Sequence, residues 1–163
     1  MSENKNEHKS GSKEDRQEDR LDLYTDGACS GNPGAGGWGA ILVYHGIEKE
    51  ISGGEAHTTN NRMELMAVIE GLKAVNRPLP IAVHTDSNYI VQAYTDGWID
   101  NWKRNGWLNA AKKPVSNRDL WEELDALVTR QPLKWIKVKG HSGHHFNERV
   151  DALAVAEAAR RKA

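Results

Sequence analysis

A chain of 163 residues with a net charge of −1 and a single cysteine, Cys29, is sized for one domain and excludes an internal disulfide or a multi-cysteine zinc site. It contains no run of about 18 apolar residues and no apolar stretch behind the basic residues near its start, so neither a membrane span nor a secretory signal is expected, and the reading is a soluble cytoplasmic protein. The near-neutral total does not announce a polyanion binder, so any such role must rest on how the charge is distributed.

Residues 1–20 alternate charges and hold no apolar side chain after Met1. They cannot bury enough surface to offset ordering entropy, which predicts a flexible charged tail ahead of one domain over residues 21–163. Leu21 to Thr25 alternates and reads as a strand. A Gly-rich stretch from Gly27 to Gly37 reads as a loop. Trp38–His45 and Ile47–Ser52 read as two strands joined by a tight turn at Gly46. Asn61–Val75 is predicted helical, with Leu65, Val68, Ile69 and Leu72 at the i, i+3, i+4, i+7 spacing of one face. Pro78 and Pro80 close that region. Ile81–Thr85 is a short apolar strand, and Ser87–Tyr94 and Gly97–Arg104 read as short helices. Asn117–Arg130 is a helix with Leu120, Leu124, Leu127 and Val128 inward and Asn117 as its cap. Leu133–Val138 is a strand, and the Ala-rich segment from about Asn147 onward is the final helix. Hairpin-linked strands followed by helix-linked strands predict an α/β fold, a mixed sheet with helices on its faces.

Four carboxylates stand out in this frame. Asp26 and Asp86 each follow a strand, where open α/β sheets place ligands, and Glu64 and Asp151 lie early in helices. Four acids brought together would repel one another and take up protons unless a cation neutralised them. Hard oxygen donors select Mg²⁺ or Mn²⁺. Two such ions about 4 Å apart can flank a phosphodiester, one activating water and the other stabilising the leaving oxygen. Each acid also has an ordinary alternative. Asp26-Gly27 suits a turn, Asp86 suits a cap for the helix at Ser87, Glu64 suits a capping box with Asn61, and Asp151 suits a solvated acid near a helix start. Spacing alone leaves both readings open.

Residues 98–118 carry Lys103, Arg104, Lys112, Lys113 and Arg118 against a single acid, Asp100, together with Trp98, Trp102 and Trp107 of the chain's six tryptophans. This stretch is basic where it is also aromatic. Gly34-Ala-Gly36-Gly-Trp-Gly39 matches a dinucleotide-binding pattern, but it runs into a β-like segment and not a helix, and no P-loop lysine follows. His141, His144 and His145 cluster without a nearby cysteine, which sets zinc aside. His84 alternates into a strand and reads as structural, and nothing beside Cys29 marks it as a nucleophile.

The segments Tyr-Thr-Asp26-Gly-Ala-Cys-Ser-Gly-Asn-Pro-Gly34, Thr-Thr-Asn-Asn-Arg-Met-Glu64-Leu, His-Thr-Asp86-Ser and Lys-Gly-His141-Ser-Gly-His ending in Asp151 closely resemble, in order from about Leu21 to the C-terminus, the signatures of bacterial ribonuclease H type 1. The resemblance implies a ribonuclease H-like fold, a five-stranded mixed sheet flanked by α-helices on both faces. It implies endonucleolytic hydrolysis of the RNA strand of RNA–DNA hybrids, leaving 5′-phosphate and 3′-hydroxyl ends. By motif position Asp26 would bridge two Mg²⁺ ions, Asp151 would join it at the ion that activates water, and Glu64 and Asp86 would hold the other. His141 would serve proton transfer or product release from a mobile loop, which Gly140 and Gly143 make physically reasonable.

Cys29, Asn32, Asn60 and Asn61 match positions that touch the hybrid's minor groove and sense the 2′-hydroxyls that distinguish RNA from DNA. Asn88 stands where many relatives have Gln, a shorter amide for a groove contact. Thr59 and Asn117 match a phosphate pocket for the DNA strand. The stretch bearing Trp98, Trp102, Lys103 and Arg104 resembles the basic protrusion that holds that strand, with core packing as the alternative for the two tryptophans. Asn105 and Ser116 occupy positions that are often basic, so a modest hybrid affinity with a shallow salt dependence is expected. Two further readings remain at this point: a hybrid-binding module without catalysis, and a DNA-cutting nuclease of the same superfold. The carboxylate set argues against the first and the groove asparagines against the second. Nothing in the sequence demands more than a monomer.

Overall fold

The computed structural model describes residues 19–139 and 145–162. Five strands form one sheet: β1 (Leu21–Ser30), β2 (Gly34–Tyr44), β3 (Ile47–Thr58), β4 (Ile81–Thr85) and β5 (Leu133–Lys137). Their spatial order is β3-β2-β1-β4-β5. The hairpin-linked strands pair antiparallel, and β1, β4 and β5 run parallel. The helices are α1 (Asn60–Lys73), α2 (Asn88–Thr95), α3 (Trp98–Asn105), α4 (Arg118–Val128) and α5 (His145–Arg160).

The apolar periodicity explains how these elements pack. Leu65, Val68, Ile69 and Leu72 of α1 are fully or nearly fully buried, and they meet Leu23, Val83, Trp121 and Leu124 in the main core. A second, smaller cluster on the other face joins Tyr24 and Ile41 to Val150, with Phe146 and Leu153 packed against it. Helices therefore cover both faces of the mixed sheet, as the sequence predicts.

The Gly-rich stretch differs from its expected loop. β1 runs on to Ser30 and β2 begins at Gly34, pairing Gly27 with Trp38 and Cys29 with Gly36. The reason is helix packing. A Cβ on Gly37 would stand 2.2 Å from the Ala154 carbonyl oxygen, and one on Gly39 would stand 2.9 Å from that of Val150. These glycines are β-sheet positions kept bare so that the backbone of α5 can lie on β2. β3 likewise extends past Ser52 to Thr58, and α5 starts at His145, two residues before the predicted start. At the predicted tail boundary, Asp19 reaches His45 at 3.4 Å and Arg20 pairs with Asp22 at 3.2 Å. No helix among the described residues is long and apolar enough to cross a membrane.

Candidate active site

Strand register puts two acids at one level. Tyr24 pairs with His84 across the parallel β1–β4 ladder, and Asp26 and Asp86 lie two residues beyond each partner. Glu64 arrives from α1 because Gly27 allows it. A Cβ on Gly27 would stand 2.5 Å from the Glu64 backbone nitrogen. The Gly27 N–H donates to Glu64 Oε1 at 3.0 Å and to Asp26 Oδ1 at 2.9 Å. One carboxylate oxygen each from Asp26, Glu64 and Asp86 lie within 4.8 Å of one another. Asp151, in the second turn of α5, adds to the upward push on the Asp26 carboxyl. Three of the four predicted acids therefore converge, and Asp151 acts on Asp26 from α5.

The ordinary roles belong to other residues. Thr59 caps α1, its Oγ1 accepting from the Arg62 N–H at 3.3 Å, and Ser87 caps α2, its Oγ accepting from the Ile90 N–H at 3.2 Å. Glu64 is thus not needed as a capping partner, and Asp86 is left exposed.

Crowding has an electrostatic cost. Burial, followed by the charge of Asp86, pushes the Asp26 carboxyl up to about 7, with Glu64 and the Gly27 N–H pulling the other way. Burial and the charges of Asp26 and Asp86 raise Glu64 well above the usual carboxylate range. Glu64 Oε2 is buried and has no hydrogen-bond partner among the described residues. A buried, unpartnered acceptor in a cluster of repelling carboxylates is a donor set suited to a hard divalent cation.

The chain matches the RNase H family profile over residues 18–159. A ribonuclease H of Rhodospirillum rubrum is 61% identical over 135 residues, spanning 83% of this chain and 81% of that protein. The chain belongs to the RNase H family. Within that family it is an enzyme, a ribonuclease H. The crystal structure of LC9-RNase H1, a type 1 RNase H with the type 2 active-site motif, superposes with a TM-score of 0.78 at 31% identity, covering 88% of this chain and 74% of that one. LC11-RNase H1, solved in complex with RNA/DNA hybrid, shares the fold at a TM-score of 0.65 and 22% identity, covering 88% and 99% of the two chains.

The other expected RNase H site residues fall in two groups. At the first edge, Cys29 donates its Sγ–H toward the carbonyls of Thr58 (3.4 Å) and Gly34 (3.5 Å), and Asn32 Oδ1 accepts from the Asn60 N–H at 3.1 Å. The β1–β2 turn is thereby tied to the start of α1, where Asn60 and Asn61 are exposed, and Asn88 is exposed at the start of α2. Asn117 departs from its expected capping role. It sits at the N-cap of α4 in a left-handed conformation (φ 60°) and makes no side-chain cap bond. Its amide instead donates to the Tyr89 hydroxyl at 3.4 Å, which also accepts from Trp121 Nε1 at 2.9 Å. Asparagine tolerates that backbone region better than most residues.

The second group is the protrusion, α3 and the turn after it. Trp98 and Trp102 are half-buried and packed on the main core, Trp102 lying 5.4 Å from Trp121 between ring centroids. Lys103 Nζ pairs with Asp125 at 3.1 Å, and Arg118 with Glu122 at 2.6 Å. His84 is structural as predicted: it bonds Asp22 at 2.9 Å and stacks on Tyr24. His141, and His144 of the histidine cluster, lie outside the described residues.

Arg62 was not singled out in the sequence, although it sits inside the Thr-Thr-Asn-Asn-Arg-Met-Glu motif. Its guanidinium makes a two-pronged contact with Asp119 (3.1 and 2.8 Å), and its Nε bonds Glu55 at 3.2 Å. The pair draws Asp119 below the usual carboxylate range. Arg62 locks the start of α1, with Thr59, to the start of α4, with Asn117. Only the partners, distant in sequence, reveal that role.

Proposed function

We propose that this ribonuclease H cuts the RNA strand of RNA–DNA hybrids endonucleolytically, leaving 5′-phosphate and 3′-hydroxyl ends, with two Mg²⁺ ions held by Asp26, Glu64, Asp86 and Asp151. Mn²⁺ is the alternative of the same ligand chemistry. The observation that carries the reading is the carboxylate cluster, with its buried unpartnered Glu64 oxygen. Bound ions of this class lower the pKa of an attacking water and neutralise charge on the leaving oxygen. Asp26 shares the Gly27 N–H with Glu64 and is raised by burial and by Asp86 and Asp151, which supports it as the shared ligand, with Asp151 on the water side and Glu64 and Asp86 on the other. The Gly27 N–H, bonded to both Asp26 and Glu64, orients the two carboxylates before any ion arrives. His141 serves proton transfer or product release.

In this reading Cys29, Asn32, Asn60, Asn61 and Asn88 line the minor groove, and Thr59 and Asn117 take a phosphate of the DNA strand. Trp98, Trp102 and Arg104 carry the protrusion's contact. The enzyme works as a cytoplasmic monomer. The test offers end-labelled RNA–DNA hybrid, double-stranded RNA and double-stranded DNA, each with Mg²⁺ and with a chelator. Metal-dependent cleavage confined to the RNA of the hybrid is expected. Absence of that cleavage overturns the reading.

A further inference from the structure

Residues 98–118, the protrusion and the start of α4, hold five basic side chains, but the structure divides them. Arg118 is paired with Glu122 within α4, and Lys103 is paired with Asp125 across α3 and α4. Arg104 bonds Asn101 in its own helix and has no acidic partner among the described residues, and neither do the exposed Lys112 and Lys113.

The Lys103–Asp125 pair is unusual in its setting. The Lys103 side chain is 47% exposed, but that of Asp125 is only 14% exposed. Beside it the buried Tyr94 hydroxyl has no hydrogen-bond partner among the described residues, and Asp125 contributes to raising its pKa. Withdrawing Lys103 to a phosphate would leave the half-buried carboxylate uncompensated next to an unpartnered hydroxyl, which is costly. Helix α3 also needs a tether. It has eight residues, no side-chain cap, and a left-handed glycine at each end, Gly97 (φ 79°) and Gly106 (φ 79°). Ile99 is buried in the main core and Trp98 and Trp102 pack against it, Trp102 on Trp121 of α4, which seats the apolar side of α3. Lys103 on Asp125 adds an ion pair from its polar side to α4.

We propose that Lys103 is a positioning residue and not a phosphate contact: paired with Asp125, it sets the orientation of α3 so that Arg104, Lys112 and Lys113 face the DNA strand. The assignment rests on the hybrid-binding reading above. It implies that three of the five cations set the salt dependence.

The test is hybrid affinity by fluorescence anisotropy in a chelator across a salt series, for wild type, Lys103→Met, Arg104→Gln and the double reversal Lys103→Glu with Asp125→Lys. Lys103→Met should weaken binding by roughly three- to tenfold with an unchanged slope of log K against log salt, because position is lost and not a counterion-releasing contact. Arg104→Gln should lower that slope by about 0.9. The double reversal should bring affinity back toward wild type, and under steady-state cleavage Lys103→Met should raise KM and leave kcat unchanged. A slope lowered by about 0.9 in Lys103→Met, unaltered affinity in that variant, or no rescue in the reversal would each overturn the assignment. A wild-type chain that binds no hybrid would instead overturn the functional reading beneath it.

Discussion

The carboxylate site and the protrusion are built on opposite plans. The site sits where backbones touch: bare glycines bring α1 against β1 and α5 against β2, and Asp26, Glu64 and Asp151 ride on the elements so joined. The protrusion's helix has eight residues between two left-handed glycines and docks through side chains, Ile99, Trp98 and Trp102 on the core and Lys103 on Asp125. The contrast follows from what each must do. Ligands for a small hard cation have to be placed to fractions of an ångström, and their mutual repulsion must be held in by the surrounding fold. A surface that follows phosphates works through longer-ranged charge and tolerates adjustment. The site is therefore electrostatically strained and mechanically stiff, and the protrusion is the reverse.

The sharpest way to break this contrast is at Asp26. Asp26→Asn should lower turnover by at least about a thousandfold, the equivalent of roughly 4 kcal/mol of lost transition-state stabilisation, with hybrid binding largely kept. The same variant should be more stable than wild type in the absence of metal. With its folded pKa near 7 and an unfolded value near 3.9, Asp26 binds more protons in the folded state between about pH 4 and 7. Unfolding free energy thus falls as pH rises through that window, and the variant escapes the loss. Thermal melts from pH 4 to 8 should show its advantage growing to roughly 1–3 kcal/mol and shrinking when Mg²⁺ is added. A wild type that stays equally stable across this range would show that the site is not strained.

Gly37→Val tests the stiffness. The side chain would collide with the Ala154 carbonyl, so α5 must shift, costing roughly 2–4 kcal/mol in denaturant titrations and removing Asp151 from the site. Activity at a temperature where the variant is still folded should fall by more than tenfold. His141→Ala should slow cleavage by roughly ten- to a hundredfold without abolishing it, as fits a group that moves protons and holds no ion. Single-turnover rates with wild-type hybrid affinity would separate it from the protrusion. The smallest effect belongs to the binding surface: Asn88→Gln, at an exposed helix start, should tighten hybrid binding by roughly two- to fivefold with an unaltered salt slope, through one longer amide contact.

The sequence made the elements legible wherever burial imposes a period. The face of α1 through Leu65, Val68, Ile69 and Leu72 and the inward leucines of α4 are buried as their spacing requires, Leu127 at the margin. The run from Gly27 to Gly37 reads as loop because glycine shows no alternation, and its partners lie far along the chain, α1 for Gly27 and α5, more than a hundred positions away, for Gly37. Asn117 satisfies the residue preference for a cap and then does something else, because Tyr89 offers its amide a partner.

The four acids proposed for the site are marked by the motifs around them, and for Asp26 and Asp86 a position at the end of a strand is legible, but not the register of β1 against β4. What the chain by itself determined is which residues are available: the acids, the asparagines, the tryptophans and the cations, each in a local pattern that suits its element. What only the tertiary structure decided is which of these groups meet. Glu64 is raised by burial and by Asp26 and Asp86, Asp119 is held by Arg62, and Lys103 is occupied by Asp125. Charge interactions depend on distance and desolvation, and both come into being only when segments remote in sequence pack together.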